Sequence, residues 1–168
     1  MGDRLTLSVL TCFGLGRSPF APGTVGSLPP PLLALALVAA LGPHWGVTAG
    51  VVLVGVAAAV LCVRFGARGE ALLGGKDPGA IVLDEVAGQS MPLVFLPWVS
   101  FESPGGITRN VVLALTAFVT FRLFDITKPP PARGLQSVRG GLGILVDDLV
   151  AGAYAAAATW LVVIALGW

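Results

Sequence analysis

Charged residues are scarce in this 168-residue sequence, and this scarcity narrows the class of protein before any motif is considered. Only 11% of the residues are charged, whereas a soluble domain carries about 25%. Hydrophobic residues make up 55% of the chain, and the mean hydropathy is +0.90. The composition therefore predicts an integral membrane protein rather than a soluble domain. The net charge of +1 gives no indication of a nucleic-acid partner.

Cysteine and histidine are also nearly absent, which disfavours several kinds of site. Cys12 and Cys62 show neither a CxxC nor a zinc-type spacing, so both are expected to be free thiols. The single histidine, His44, is predicted to lie on the membrane side opposite the acidic residues described below. A zinc site and a cysteine or histidine nucleophile are therefore disfavoured.

Long apolar runs are abundant. A spanning helix needs roughly 20 mostly apolar residues, and four segments meet this requirement, at approximately 45–63, 79–99, 107–124 and 144–166. A fifth segment, 28–41, is apolar but short and begins at a proline run, so a short span and a re-entrant element are both open. The sequence predicts an all-α polytopic bundle of about five membrane segments, forming one domain over residues 1–168.

The basic residues are distributed unequally between the two predicted sides of the membrane. With five crossings, nine of the ten basic residues fall on one side, and only Arg109 falls on the other. The nine are Arg4, Arg17, Arg64, Arg68, Lys76, Arg122, Lys128, Arg133 and Arg139. The positive-inside rule places their side, and with it the N-terminus, in the cytoplasm.

Most of the acidic residues lie at span ends on that same side. They are Asp77, Asp84, Glu85, Asp125, Asp147 and Asp148. Ionised acids gathered in one place repel one another, so basic side chains or a bound divalent cation are expected to hold them together. Carboxylate oxygens without histidine or cysteine suit magnesium or calcium rather than zinc.

The first two acids precede and enter the predicted span 79–99. Asp77 followed by Pro78 is typical of a helix N-cap, and capping alone would explain this aspartate. Asp84 lies seven residues further on, about two turns and roughly 10 Å along the helix, on nearly the same face. An unpaired acid at that depth is costly, so Asp84 is expected to have an ion partner or to face a polar interior.

The next acids follow helical spacing in two other segments. Arg122, Asp125 and Lys128 are three residues apart and share one helical stripe. An ion-pair ladder at the membrane interface would explain them, but their location opposite other acids argues against it. Asp147 and Asp148 diverge by about 100° on a helix, so only one of them can face a shared site. We expect Asp148 to be the inner one, while the helix dipole alone would explain one member of the pair.

Residues 14–27 combine glycines with hydroxyl side chains. Glycine lets backbone amides approach an anion closely, and Thr24 and Ser27 add hydroxyl donors. A flexible re-entrant loop is an equally good interpretation, and the segment lacks the Gly-Lys-Ser or Gly-Lys-Thr of a P-loop. Together with a metal and nearby basic side chains, the segment predicts a phosphate site at the headgroup level.

In these segments the sequence resembles the phosphatidylglycerophosphatase A family, membrane enzymes that hydrolyse phosphatidylglycerol phosphate to phosphatidylglycerol. The resemblance runs, in the family's order, through GLGRSPFAPGTVGSL, DPGAIVLDEVAGQ, FRLFDITKPPPAR and GGLGILVDDLVAG. It implies magnesium dependence, a bacterial inner-membrane location and an active site facing the cytoplasm. The site residues that it implies are Asp77, Asp84, Glu85, Asp125, Lys128, Asp147 and Asp148. The family often has an acid where this chain has residues 135–139, so Arg139 is expected to supply charge to the phosphate instead.

The resulting hypothesis is a magnesium-dependent hydrolysis of a phosphomonoester. The predicted metal ligands are Asp77, Asp84, Asp147 and Asp148. The predicted catalytic residues are Asp84, Glu85, Asp125, Lys128 and Asp148, with Glu85 as the base or as an orienting group. The predicted phosphate-binding residues are Arg17, Thr24, Ser27, Arg122, Lys128 and Arg139. Water and an aspartate both stay open as the attacking group.

A cation transporter or channel is the main alternative, because acids inside membrane segments also mark ion pathways. Such a protein would be expected to carry acids deep within several spans, whereas these lie near one boundary. A CDP-alcohol phosphotransferase is disfavoured because its spaced Asp-Gly, Ala-Arg and Gly signature is missing, and a non-catalytic assembly subunit would need none of this charge. The expected partners are the phospholipid substrate and membrane lipids.

Overall fold

The computed structural model describes residues 2–75, 78–130 and 141–168, and within these ranges it contains no β-strand. The α-helices, in chain order, are α1 (Asp3–Leu10), α2 (Pro22–Gly26), α3 (Pro29–Leu41), α4 (Trp45–Leu73), α5 (Leu83–Ser90), α6 (Gly106–Thr127) and α7 (Gly141–Ala165). Short 3-10 turns lie at Leu15–Arg17 and Met91–Leu93. The predicted all-α fold is confirmed.

Among the described residues, four helical segments have the length and apolar composition to span a membrane. They are Pro22–Leu41, α4, α6 and α7. The last three correspond to the predicted spans at 45–63, 107–124 and 144–166. The predicted short segment 28–41 is part of the first, which reaches 20 residues because helical structure begins at Pro22. The chain is therefore a membrane protein by its helices as well as by its composition.

The prediction of one spanning helix over 79–99 is wrong. This segment forms α5, which has 8 residues, then a 3-10 turn and non-helical chain from Val94 to Ser100. Pro92 and Pro97 explain the interruption, because proline lacks the backbone N–H that a helix interior needs. Hydropathy could not reveal this, since the residues are apolar for another reason: they are buried among the other helices. Non-helical backbone at membrane depth is tolerated where protein surrounds it.

Two apolar clusters lie at opposite ends of the bundle. The upper cluster contains residues from the ends of α1 and α4 and the beginnings of α5 and α7: Leu10, Ala58, Cys62, Ile81, Leu83, Val86, Ala87, Ile144 and Leu145. The lower cluster joins α3 and the opposite ends of α4, α6 and α7: Ala34, Val38, Val47, Val51, Leu93, Leu96, Trp98, Leu113, Ala114, Ala117 and Val163. The segment 83–98 contributes Leu83, Val86 and Ala87 to the upper cluster and Leu93, Leu96 and Trp98 to the lower one, so it runs through the bundle from its upper to its lower end.

Candidate active site

Three carboxylates meet near the upper end of the bundle, between α5 and α7. One oxygen from each of Asp84, Glu85 and Asp148 lies within 4.8 Å of the other two. Asp84 and Asp148 are only 6% and 3% exposed, whereas Glu85 is partly buried. The structure thus brings together three of the acids that the sequence predicted for the site, and it places Asp148 rather than its neighbour Asp147 in this group.

A close contact between α5 and α7 explains why these acids meet. A Cβ at Gly88 would lie 2.6 Å from the carbonyl oxygen of Asp148, and a Cβ at Gly152 would lie 2.5 Å from the carbonyl oxygen of Gly88. Only glycine allows two helices to approach so closely at these positions. Asp84 and Asp148 each lie four residues before a glycine, and both helices run inward from the upper end. The contact therefore sets the two carboxylates side by side.

The burial of these carboxylates leaves some of their oxygens without a protein partner. Within the described ranges, Asp84 Oδ1, Glu85 Oε2 and Asp148 Oδ2 are buried and accept no hydrogen bond. Burial, followed by the charges of Glu85 and Asp148, raises the pKa of Asp84 well above its usual range. Burial likewise raises the pKa of Glu85 to about 7. Since a nearby cation favours the charged form of a carboxylate, a bound cation would reverse this effect.

Two cations and two further acids surround the three carboxylates. The Arg122 guanidinium lies 2.6 Å from an Asp125 oxygen, and the Lys128 ammonium lies 3.9 Å from the other. Lys128 also donates a hydrogen bond to Asp147 on α7. Asp147 is thereby paired with Lys128 across the end of α6, while Asp148 joins Asp84 and Glu85.

Lys128 occupies an unusual backbone position. It ends α6 with a φ of 42°, in the left-handed region that non-glycine residues seldom adopt, and Pro129 follows it. Burial by itself lowers the pKa of Lys128, but the hydrogen bond to Asp147 and the charges of nearby acids outweigh it, so this pKa is raised. The ammonium group therefore stays protonated beside the carboxylates.

The glycine-rich segment lies over this site. A Cβ at Gly23 would collide with Glu85 Oε1 and would lie 3.3 Å from both terminal nitrogens of Arg122. The Ser27 hydroxyl donates to the Gly23 carbonyl at 2.7 Å and accepts a hydrogen bond from Arg122 at 3.3 Å. Thr24 lies partly buried on the same short helix, one residue after Gly23. Gly23 thus gives the backbone of α2 its close approach to Glu85 and Arg122.

Arg17, a further predicted site residue, is not part of this group. Arg17 is exposed at the end of a 3-10 turn and lines a groove with Arg4 on α1. Asp77 and Arg139 lie outside the described residues, so their predicted roles as metal ligand and phosphate-binding residue stay predictions.

Sequence reasoning missed the two glycines that hold the site together, although the chain carries a signal for them. The pattern Asp-x-Val-Ala-Gly occurs at Asp84–Gly88 and again at Asp148–Gly152. A repeated acid four residues before a glycine, once on each of two helices, indicates that both helices use the same close contact. Comparing the two segments with each other would also have selected Asp148 over Asp147 as the partner of Asp84.

A family model and several relatives of known name match this chain over most of its length. The family model described as "Phosphatidylglycerophosphatase A" matches residues 8–163. The chain is 34% identical over 145 residues to the Phosphatidylglycerophosphatase A of Escherichia coli strain K12, covering 86% of this chain and 75% of that protein. It is also 34% identical over 148 residues to the protein of the same name from Haemophilus influenzae, covering 85% and 79%.

A third relative carries a different name. The chain is 34% identical over 165 residues to a Bacteroides thetaiotaomicron protein named "Putative phosphatidylinositol-3-phosphatase", covering 94% of this chain and 96% of that protein. No solved structure matches the chain. Neither the described structure nor these relatives support the alternative of a cation transporter or channel. The family model covers nearly the whole chain, and the chain therefore belongs to the phosphatidylglycerophosphatase A family.

Proposed function

We propose that this protein hydrolyses the phosphomonoester of phosphatidylglycerol phosphate and releases phosphatidylglycerol and inorganic phosphate. Membership of the family makes it a lipid phosphatase of phospholipid synthesis. The observation that carries the proposal is the group formed by Asp84, Glu85 and Asp148, whose oxygens lie within 4.8 Å of one another. Two cations, Arg122 and Lys128, lie at the edge of this group and complement a doubly charged phosphate.

The same three carboxylates would hold Mg²⁺. Their oxygens are hard ligands, and the group contains neither histidine nor cysteine, which suits magnesium better than zinc. Each residue also has a buried oxygen that accepts no hydrogen bond within the described ranges, and a bound cation would satisfy these oxygens. When bound, Mg²⁺ supplies Lewis acidity to a phosphoryl oxygen and offsets the charge of the acids.

The side chains of the site suggest a division of roles. In the reaction, a water oxygen bonds to phosphorus and gives up one proton, the bond from phosphorus to the lipid oxygen breaks, and the departing lipid oxygen takes up a proton to become a hydroxyl. Glu85 lies beside Arg122 and Gly23, and the carboxylate oxygen that does not bind the cation would accept the proton of the attacking water. Arg122 and Lys128 would stabilise the negative charge on the transferring phosphoryl group.

Asp125 and Asp147 would act through these cations. Asp125 holds Arg122 at 2.6 Å, and Asp147 accepts a hydrogen bond from Lys128. A cation whose position is fixed in this way loses little freedom when phosphate binds. Asp147, which the sequence also suggested as a metal ligand, would then contribute chiefly as a positioning residue.

The upper end of the bundle would face the cytoplasm of a bacterial inner membrane. The ends of α4 and α6 and the described N-terminal segment carry most of the basic residues, and the positive-inside rule assigns such a side to the cytoplasm. In a Phe20→Cys variant, the new thiol should stay unlabelled when intact cells are treated with a membrane-impermeant thiol reagent, if this orientation is right. Labelling at position 20 without cell lysis would reverse the orientation.

A phosphatidylinositol 3-phosphate substrate is the second candidate, because one relative that covers 94% of this chain is named for that activity. Both lipids present a phosphomonoester on a phospholipid headgroup, so the same carboxylates and cations would serve either. The headgroups differ in size, since one is a phosphorylated glycerol and the other a phosphorylated inositol ring. Comparing kcat/KM for the two lipids decides between them.

The decisive assay measures phosphate release by the purified protein from phosphatidylglycerol phosphate in detergent, with Mg²⁺ or with a chelator. We expect release with Mg²⁺, little with the chelator, and recovery when Mg²⁺ is added back. The Asp84→Asn protein is the matched control for contaminating phosphatases. If release is equal in the wild type and in this variant, the proposed site is wrong. If the inositol lipid is cleaved faster, the proposed substrate is wrong but the site stands.

A further inference from the structure

We propose that the N-terminal segment binds the phosphate of an anionic phospholipid headgroup in a second site, separate from the three carboxylates. The site is a groove of about 370 Å³ on α1 and the turn that follows it. Its lining includes Arg4, Leu7, Ser8, Thr11, Phe13 and Arg17. This inference does not rest on the hydrolytic reaction, because a phospholipid that the enzyme does not cleave would bind there equally well.

The local fold brings two arginines to the same groove. Arg4 begins a stripe of α1 that continues, at helical spacing, through Ser8 to Thr11. The chain then reverses: the Phe13 N–H donates to the Ser8 carbonyl at 2.7 Å, and the Gly16 N–H donates to the Thr11 carbonyl at 3.0 Å. The turn ends at Arg17, which therefore lies beside the stripe rather than beyond it.

The groove carries positive charge that the described part of the chain does not neutralise. The residues that line it include no acid. Asp3, next to Arg4 in sequence, has its carboxylate 2.6 Å from Arg68, so it is already engaged by another arginine. Two guanidinium groups on one groove complement a phosphate well, because each can donate two hydrogen bonds to phosphate oxygens.

The depth of the groove indicates a lipid rather than a soluble anion. The 29 residues of α4 measure about 43 Å, whereas the hydrocarbon core of a bilayer is about 30 Å thick. Charged residues first appear in this helix at Arg64, so the part beyond Arg64 extends into the headgroup region. α1 packs on that part, since Leu10 lies against Gly69 and Asp3 pairs with Arg68. The groove is thus at the level of lipid phosphates.

Exposed apolar side chains lie on the same N-terminal segment and favour the same partner. Phe13 and Phe20 are 83% and 82% exposed, and Leu5 on α1 is 54% exposed. None of these residues belongs to a helix long enough to span the membrane. Aromatic and leucine side chains combined with arginines are typical of segments that lie in the membrane interface and bind anionic lipids. Exposure of these apolar side chains to water is unfavourable, whereas the membrane interface accommodates them.

A photo-crosslinker placed at Phe13 tests the proposal directly. The full-length protein with Phe13→p-benzoylphenylalanine is reconstituted in phosphatidylcholine bilayers containing phosphatidylglycerol, and the lipids attached after illumination are identified by mass spectrometry. We expect phosphatidylglycerol to be enriched among the adducts relative to the bilayer. Arg4→Gln and Arg17→Gln should each lower this enrichment about fivefold, since the loss of a hydrogen bond to the phosphate changes binding by about that factor. Arg4→Lys and Arg17→Lys should retain most of it.

Three controls decide whether the groove causes the enrichment of phosphatidylglycerol at position 13. The same crosslinker at Phe20, which is exposed but does not line the groove, should show no preference between the lipids. Arg64→Gln, which removes an exposed arginine outside the groove, should leave the preference at Phe13 unchanged. Asp84→Asn should also leave it unchanged, because the lipid probe has no phosphomonoester, so failure here is separable from failure of the proposed reaction.

Several results would overturn the proposal. Equal enrichment at positions 13 and 20, or an equal loss in the Arg64→Gln protein, would show general attraction to a charged surface. Unchanged enrichment in both Arg→Gln variants would show that the arginines bind no headgroup. Loss of enrichment in excess inorganic phosphate would assign the groove to a soluble anion instead. Circular dichroism of each variant checks that the helices are intact.

Discussion

α5 and α7 carry the same five-residue pattern, but only α7 is a spanning helix. The pattern Asp-x-Val-Ala-Gly lies at Asp84–Gly88 on α5 and at Asp148–Gly152 on α7. After its glycine α7 continues to Ala165, whereas α5 ends at Ser90 because Pro92 follows. The two segments differ even more in burial, since seven of the eight α5 residues are buried but only ten of the 25 in α7.

This difference shows how a membrane protein can place acids away from lipid. α7 exposes apolar side chains on one side and brings Asp148 inward on the other. α5 is enclosed by the other helices and holds Asp84 and Glu85 inside the protein, near the upper end of the bundle. Gly88 and Gly152 connect the two elements, so the acids of a short buried helix and of a long outer one meet at one point.

The largest effect is expected from removing the paired aspartates. Asp84→Asn and Asp148→Asn should each lower kcat/KM for phosphatidylglycerol phosphate by about 10³-fold, because each removes a charge that the proposed cation site needs. The double variant should be little worse than either single one, since the residues act as a unit. Phosphate release in detergent measures this. If either variant keeps more than about a tenth of the wild-type rate, the aspartates of α5 and α7 do not serve one site equally.

The second-largest effect is expected from substituting the two glycines at the contact between α5 and α7. Gly88→Ala and Gly152→Ala should lower kcat/KM about 10²-fold, because the added methyl group pushes α5 and α7 apart and displaces the acids by about 1 Å. Thermal unfolding should show reduced stability as well. Gly75→Ala is the matched control, since a Cβ there meets no atom within 4 Å. Wild-type activity in both Gly88→Ala and Gly152→Ala would mean that the close contact between α5 and α7 does not position the site.

The pairing of Lys128 with Asp147 should have an intermediate effect. Lys128→Met should lower kcat about 30-fold, whereas Asp147→Asn should lower it about tenfold because the lysine stays but is less well held. Combining the two changes should be no worse than Lys128→Met alone. Steady-state kinetics on the lipid substrate reports both values. If Asp147→Asn instead matches Asp148→Asn, both adjacent aspartates serve the cation and the assignment of roles fails.

The smallest effect is expected where the glycine-rich segment meets Arg122. Ser27→Ala removes the hydroxyl that accepts a hydrogen bond from Arg122, and it should lower kcat/KM about fivefold. Ser103→Ala, at an exposed position in the loop before α6, is the control and should have no effect. A loss as large as that of Lys128→Met would show that Ser27 itself contacts the substrate.

Much of the fold could be predicted from the sequence, because a lipid environment leaves few options. An uncharged run as long as the one after Trp45 favours a helix, since a helix satisfies its backbone hydrogen bonds within the segment itself. The gathering of acids near one boundary followed from the same alternation of spans. The limits of α5 did not follow, because a helix buried in protein and a helix exposed to lipid are equally apolar, and only Pro92 and Pro97 distinguish them.

The detail of the site depended on contacts that a single sequence does not encode locally. The choice of Lys128 as the partner of Asp147, rather than of Asp148, depends on how the end of α6 meets α7. The position of Arg17 depends on the left-handed turn after α1, where Cys12 and Phe13 adopt φ values of 46° and 55° that their residue types do not predict. Residue spacing predicts which side chains share a face of one helix, but it does not predict where the chain lies after a left-handed turn.

The central claim is that acids from two different helices form one divalent-cation site. Calorimetric titration of the purified protein with Mg²⁺, without substrate, tests it most directly. We predict saturable binding to the wild type, loss of binding in both Asp84→Asn and Asp148→Asn, and retention in Asp3→Asn, which changes a surface acid paired with Arg68. Undiminished Mg²⁺ binding in either Asp84→Asn or Asp148→Asn would contradict the claim.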